Sequence, residues 1–121
     1  MTRGPVPRLP FDVIARKALG PHYELSLVIC GDHLARRMNR EHREKNYKPN
    51  VLSFPLGKHE GEIFLNVHCA EREAHKFGVS VRSHLALLFV HGCFHLKGLN
   101  HGKKMEHEEQ AMLKKFGFKH S

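Results

Sequence analysis

Apolar and polar residues recur with two different periods along the chain, and each period predicts one kind of element. Apolar side chains occupy alternate positions or short runs at 23–30, 51–54 and 62–65, which is typical of β-strands. Five longer stretches have the spacing of helices, at 10–19, 32–45, Val67–Phe77, Val81–Lys97 and 104–116. The order α-β-α-β-β-α-α-α predicts an α+β fold in which a small mixed β-sheet packs against about five helices.

Capping and turn residues mark the ends of these elements. Asp32 and Ser80 are expected to be the N-caps of the second and fourth helices, because a short polar side chain there accepts a hydrogen bond from the first turn. Pro55 is expected to end the second strand, with a turn at 57–61 before the third. No repeat or linker divides the 121 residues, so we expect one domain covering residues 1–121.

The fourth predicted helix, Val81–Lys97, is apolar on nearly every side, so we expect it at the centre of the core. Its narrow polar stripe consists of His84, His91 and His95. His84 is two turns, roughly 10 Å, from His91 and is too far away to bind the same ion. We interpret it as an imidazole near the helix start, in preference to a supporting or substrate-binding residue.

His91, His95 and His101 form the pattern H-x-x-x-H-x-x-G-x-x-H, which predicts a metal site on this central helix. Residues four apart lie on one helix face, and Gly98 can adopt the left-handed conformation that ends a helix and turns the chain back toward the ion. Among the 12 histidines, His91 and His95 are the only pair four apart. One Zn²⁺ held by three histidines keeps a fourth position for water, whose pKa it lowers to about 7. The alternative is three unrelated histidines with local hydrogen bonds.

Charge and cysteine content indicate the kind of partner and the cellular compartment. A net charge of +8 and a pI near 9.7 favour an anionic partner such as nucleic acid, although a solvated basic surface is equally compatible. The cysteines are odd in number and lack C-x-x-C spacing, which fits a reducing, cytoplasmic location. Cys93 falls on the other side of the helix from His91 and is interpreted as a small core residue. The longest apolar run, 85–90, is far shorter than the roughly 20 residues of a membrane span, and no export signal is visible.

Gly92 decides which reaction the predicted metal site favours. Metzincin proteases share the histidine pattern but carry a Glu at this position, which takes the proton from the metal-bound water. A glycine supplies no base, so a peptidase would need Glu62, Glu106 or Glu109 to reach the site from elsewhere. Gly92 is instead expected to leave room beside the metal for a phosphodiester, whose developing charge a metal and an arginine can stabilise.

Three segments of the chain form a combined pattern: N-R-x-x-R at 39–43 leading to N-V-L-S-F-P at 50–55, G-E-I at 61–63, and the histidine pattern followed by M-E-x-x-E at 105–109. Together they resemble the YbeY-type endoribonucleases, which mature ribosomal RNA and act in its quality control. The resemblance covers about residues 27–118. It implies a zincin-like, metal-dependent hydrolase with zinc held by the three histidines and a basic cleft for RNA.

The resemblance also suggests roles for residues outside the histidine pattern. Arg43 is expected to hold a phosphate and stabilise its developing charge during catalysis, since a guanidinium offers two parallel donors to two oxygens. Arg40, Lys45 and Lys48 are expected to extend the basic surface along the RNA. Ser53 is expected to be structural, in a strand near the metal, rather than a nucleophile.

Asn100 stands where many members of that family have an Asp before the third histidine. If that Asp orients a metal ligand by a hydrogen bond, its replacement lowers metal affinity, since such supports are typically worth 10 to 100-fold. The family also usually reads Gly-Asp where this chain has Gly61 and Glu62. These departures leave the three predicted ligands intact.

The leading hypothesis is a zinc-dependent, single-strand-specific endoribonuclease that acts on small-subunit rRNA precursors and in ribosome quality control. Its predicted partners are RNA and the small ribosomal subunit, with no membrane partner. The alternative is a non-catalytic, ribosome-associated RNA-binding protein whose zinc is structural or lost, and a peptidase is a weaker third option. The sequence leaves open the cleavage site, the attacking nucleophile, the metal that is loaded and the oligomeric state.

Overall fold

The computed structural model describes residues 8–99 and 102–118 of the chain. Its elements are α1 (Phe11–Leu19), β1 (Glu24–Cys30), α2 (Asp32–Arg43), β2 (Val51–Gly57), β3 (Glu60–Asn66), α3 (Val67–Phe77), α4 (Val81–Lys97) and α5 (Lys103–Lys115). Their order is the predicted one, and the α+β class is confirmed. The bounds of α3 and α4 coincide with the prediction, and those of α5 differ by one residue.

The sheet contains three strands in the order β1-β3-β2. β1 runs parallel to β3 and β2 runs antiparallel to it, so the sheet is mixed, as predicted. The prediction that Pro55 ends the second strand is wrong, because β2 continues to Gly57. β2 lies at the edge of the sheet, where a residue without an N–H group need not interrupt the ladder, and the pairing shifts register just after Pro55.

Helix α4 lies at the centre of the fold and packs against α1, α3, α5 and both strands β2 and β3. Its buried residues Phe89, Val90 and Phe94 form one core cluster with Ile63 of β3 and Leu113 of α5. Cys93 is fully buried on the same helix, and burial raises the pKa of its thiol to about 12. The predicted central position of this helix and the core position of Cys93 are both confirmed.

Asp32 is the first residue of α2 rather than its N-cap, so that prediction is wrong; Gly31 occupies the cap position. The carboxylate instead accepts two hydrogen bonds of 2.8 Å from the guanidinium of Arg72 in α3 and one of 2.9 Å from the side chain of Asn66. The guanidinium, together with Asn66, lowers the pKa of Asp32 from 3.8 to about 2. A long-range pair of this kind fixes the start of α2 against α3, and a cap pattern in the sequence does not reveal it.

Replacing Arg72 with alanine is expected to lower the free energy of unfolding by about 1 kcal/mol near neutral pH. Because the folded-state pKa of Asp32 is depressed, its contribution is complete above its ordinary pKa of 3.8 and is lost as the pH falls toward about 2. Urea unfolding of both proteins across that range should show their difference shrinking toward acid pH. Arg37→Ala, which breaks only the exposed Arg37–Glu41 pair, serves as the control. A difference that stays constant with pH would contradict this account.

Within the described part of the chain, no single helix is both long and apolar enough to cross a membrane. Helices α3 and α4 reach that length and composition only together, with a bend of 119° between them.

Candidate active site

A cleft of about 480 Å³ lies between the end of α4 and the segment that joins α2 to β2. Its walls combine imidazole, guanidinium, hydroxyl and aromatic groups: His42, Arg43, Tyr47, Asn50, Val51, Ser53, Phe54, Pro55, His91, His95 and Leu96. A smaller cavity of about 210 Å³ lies between α1 and β1 and contains none of the predicted site residues. Four of those residues, Arg43, Ser53, His91 and His95, therefore meet in one cleft.

His91 and His95 stand one turn apart on α4, with their Nε2 atoms 3.1 Å from each other. Their rings are 4.6 Å apart and nearly perpendicular, as expected for residues four apart on a helix. Gly98 ends the helix with φ +98° and ψ +11°, the left-handed conformation that its position predicts. Helical periodicity is thus sufficient to direct both imidazoles to the same point, and Gly98 only ends the helix after them.

Glu109 of α5 accepts a hydrogen bond from Nδ1 of His91, and its side chain is buried, with only 7% of the residue exposed. A carboxylate at Nδ1 places the ring proton there and the lone pair on Nε2, which is the tautomer that a metal ligand requires. The sequence includes Glu109 in the M-E-x-x-E segment of the resemblance and makes it a candidate base for a peptidase, but it does not predict a role beside His91. The available signal was its spacing of four residues from both Met105 and Leu113, which places a carboxylate within the buried stripe of α5.

The donor set fits a divalent metal as far as the described residues extend. Two nitrogens that bind one zinc at 2.0–2.1 Å in tetrahedral geometry are about 3.3 Å apart, close to the 3.1 Å between His91 and His95. In residues 8–99 and 102–118, no group of three or more His, Cys, Asp or Glu side chains is arranged to hold a metal. The predicted third ligand, His101, and its neighbour Asn100 lie outside the described residues, so the triad stays a prediction.

Arg43 is the last residue of α2 and lines the cleft with both histidines. Glu44 follows in the left-handed conformation, with φ +56°, and turns the chain away from the helix axis. Among the described residues, none forms an ion pair with the Arg43 guanidinium. A cation in this position is suited to an anionic group inside the cleft.

Arg40, Lys45 and Lys48 are exposed but do not line the cleft. Lys48 lies near Asp32, where Arg72 and, to a smaller degree, Lys48 lower the pKa of the Asp32 carboxyl. Contacts of these three residues with RNA stay predictions. They would form on the surface beside the cleft and not in its interior.

Gly92 has a different role from the one predicted. A Cβ built on it would lie 3.0 Å from Oγ of Ser53 and 3.2 Å from side-chain atoms of Ile63 and Val51. The space beside Gly92 is therefore filled by the sheet and leaves no room for a phosphodiester, so that prediction is wrong. The glycine lets α4 approach β2, and Ser53 donates a hydrogen bond of 3.0 Å to the Gly92 carbonyl across this contact. This geometry supports the structural interpretation of Ser53.

A partly buried network of hydrogen bonds connects α3 and α4 with the wall of the cleft. Nε2 of His84 lies 2.8 Å from Glu73 of α3, and the Asn50 amide donates to both Glu73 oxygens at 3.2 and 3.3 Å. Asn50 lines the cleft, so its side chain is fixed by groups on α3 and α4. The sequence showed His84 only as an imidazole near a helix start, since the partners are 11 and 34 residues away from it.

Comparisons with known proteins agree on one family. The family model described as endoribonuclease YbeY matches residues 11–117. The endoribonuclease YbeY of Geobacter metallireducens is 39% identical over 105 residues, which cover 78% of this chain and 70% of that protein. The endoribonuclease YbeY of Aromatoleum aromaticum is 35% identical over 113 residues, covering 88% of this chain and 73% of that protein.

The solution structure of TM1509 from Thermotoga maritima has a similar fold, with a TM-score of 0.64 over 85% of this chain and 73% of that one. Its sequence identity of 22% limits this likeness to the fold. The resemblance inferred from the sequence motifs is confirmed by the family match and by the identity and coverage of the relatives. The chain belongs to the endoribonuclease YbeY family.

Proposed function

We propose that this chain is a metal-dependent endoribonuclease that cleaves single-stranded RNA in the cleft between α2 and α4. The observation that carries the proposal is that Arg43 lines the same cleft as His91 and His95. A cation and two imidazoles facing one cleft are the groups that phosphodiester hydrolysis uses. Membership of an endoribonuclease family supports the same reaction.

One Zn²⁺ is the proposed cofactor, with His91, His95 and His101 as ligands and water as the fourth. When bound, such an ion supplies Lewis-acid stabilisation of the phosphodiester and lowers the pKa of water. Glu109 holds the His91 ring in the required tautomer and orientation. Arg43 binds the phosphate by two parallel hydrogen bonds and stabilises the charge that develops on its oxygens.

The alternatives fit the structure less well. A non-catalytic RNA-binding protein is not favoured, because the chain belongs to a family of endoribonucleases and His91 keeps its carboxylate partner. A peptidase needs a carboxylate at the reacting water. Of the three candidates, Glu109 is bound to Nδ1 of His91, and neither Glu62 nor Glu106 lines the cleft.

The biological setting is part of the proposal. We propose that the substrate is precursor ribosomal RNA of the small subunit, that the protein also acts in ribosome quality control, and that it works in the cytoplasm. The net charge of +8 supports an anionic macromolecular substrate. Binding to small ribosomal subunits is therefore expected to weaken steeply with salt.

Cleavage by metal-defined protein tests the proposed function. The protein should cut a labelled single-stranded RNA, leave a duplex of the same sequence largely intact, and lose activity when the metal is removed by a chelator. Restoring Zn²⁺ should restore cleavage. If no metal loading produces cleavage above a protein-free control while RNA still binds, the RNA-binding alternative replaces the proposal.

Replacing Glu109 with alanine is expected to lower zinc affinity by about 10 to 100-fold, because the His91 ring loses the group that orients it. Glu109→Gln still accepts a hydrogen bond but carries no charge, so its zinc affinity should lie between those of the wild-type protein and Glu109→Ala. Competition with a chromophoric chelator measures the affinity independently of activity. Glu108→Gln is the matched control, since Glu108 is exposed on the same helix. Equal zinc affinity in Glu109→Ala and the control would show that Glu109 does not support metal binding by His91.

A further inference from the structure

Tyr47 presents an exposed aromatic ring inside the cleft, with 55% of the residue accessible. Val13, Leu56 and Phe77 are exposed to a similar extent, but none of them lines the cleft. Single exposed apolar residues are common on protein surfaces and need no explanation. The distinguishing feature of Tyr47 is its position beside Arg43 and the two histidines.

The loop that carries Tyr47 is held in place by hydrogen bonds. The side-chain amide of Asn39, whose residue is fully buried in α2, donates to the Tyr47 carbonyl at 3.2 Å. Two residues further on, the buried amide of Asn66 donates to the Pro49 carbonyl at 3.1 Å. The backbone is therefore fixed at Tyr47 itself and at Pro49, while the Tyr47 ring remains accessible. A flat ligand that binds to this ring has to order the side chain but not the loop backbone that carries it, which lowers the entropy cost of binding.

Two further aromatic side chains line the same cleft. His42 and Phe54 lie with their ring centroids 5.3 Å apart, and Phe54 packs edge-on against buried Phe64 at 5.8 Å. The wall of the cleft formed by α2, its loop and β2 is thus aromatic as well as basic. Interleaved aromatic and basic groups suit a ligand that alternates flat rings with phosphates.

We propose that Tyr47 is a stacking site for an unpaired nucleobase of the RNA next to the phosphate that Arg43 holds. This inference rests on the proposed function, because it takes RNA as the substrate. It gives a physical reason for single-strand specificity, since a base can stack on a side chain only after leaving its own stack in a duplex. Stacking uses the face of the base, so we expect little sequence preference at this position.

Fluorescence provides a direct test, because the chain contains no tryptophan. In Tyr47→Trp the indole would be the only one, and a short oligoadenylate should quench it in stopped-flow mixing before cleavage. A chain of the same length and charge that lacks bases should not quench it. Phe77→Trp is the matched control, since Phe77 is exposed to 56% outside the cleft. Equal quenching by the abasic chain, or by oligoadenylate in the control, would overturn the proposal.

Kinetics separate this inference from the proposed function. Tyr47→Ala should raise KM for single-stranded RNA by roughly 5- to 150-fold, the range given by loss of one stacked base, with a smaller change in kcat. Tyr47→Phe keeps the ring and should restore KM. If the wild-type protein cleaves RNA and Tyr47→Ala has the same KM, the stacking site is contradicted while the proposed function stands. A wild-type protein that cleaves no RNA contradicts the proposed function, while quenching specific to Tyr47→Trp would still support base stacking.

Discussion

Replacing His95 with alanine is expected to abolish RNA cleavage while RNA binding survives. His95 contributes one of the two imidazole nitrogens that lie 3.1 Å apart at the cleft. Without it, His91 is the one remaining described residue of α4 that both lines the cleft and has an imidazole to bind an ion. Metal stabilisation of a phosphodiester is worth several kcal/mol, so kcat should fall by about a thousandfold or more. His95 is exposed, so the free energy of unfolding should change by no more than about 0.5 kcal/mol.

Three measurements on His95→Ala separate loss of metal from loss of fold. Metal analysis should show less zinc per chain than in the wild-type protein, circular dichroism should be unchanged, and RNA affinity should remain close to that of the wild type. His75→Ala is the control, because His75 is exposed on α3 and does not line the cleft. Cleavage at the wild-type rate by metal-free His95→Ala would rule out the proposed mechanism.

Replacing Arg43 with alanine is expected to weaken both RNA binding and cleavage. The guanidinium lines the cleft and forms no ion pair with any described residue, so it is available to a phosphate. Removing such a donor should lower kcat/KM by about 100- to 1000-fold. Arg43→Lys should recover only part of this loss, because an ammonium group keeps the charge but not the two parallel donors.

The salt dependence of binding distinguishes a phosphate contact from a general loss of positive charge. The slope of log K against log salt should fall by about one in Arg43→Ala, as expected when one phosphate contact is lost. Arg37→Ala is the matched control, since Arg37 lies on the same helix but pairs with Glu41 outside the cleft. If the two variants lose equal activity, Arg43 acts only through net charge.

Local signals account for the elements that the sequence predicted most closely. Helix α4 begins after Ser80, whose side chain accepts a hydrogen bond from Ser83 N–H, and ends at Gly98 in the left-handed conformation. Both signals act within a few residues of the helix end, so they can be recognised without the fold. The predictions for Asp32 and Pro55 failed because a distant partner or an edge position decided the outcome.

The candidate site divides in the same way. Helical periodicity alone places His91 and His95 together, and the motifs around Arg43 predict that it binds a phosphate. The roles of Glu109, Glu73 and Tyr47 were not predicted, because each depends on an element far away in the chain. The histidine motif does not reveal the role of Gly92, because its missing side chain permits packing of α4 on the sheet instead of opening the cleft.

By itself, therefore, the sequence determined the order of the elements, the central helix, the paired imidazoles and the family, because periodicity, caps and motifs act over short stretches of chain. Only the tertiary structure decided which groups share the cleft: it brings Arg43 and Tyr47 of the α2 segment to the histidines of α4 and excludes Lys45 and Lys48. It also decided that Glu109 supports His91. These contacts join residues that are 18 or more positions apart, and packing of whole helices on a sheet fixes their positions.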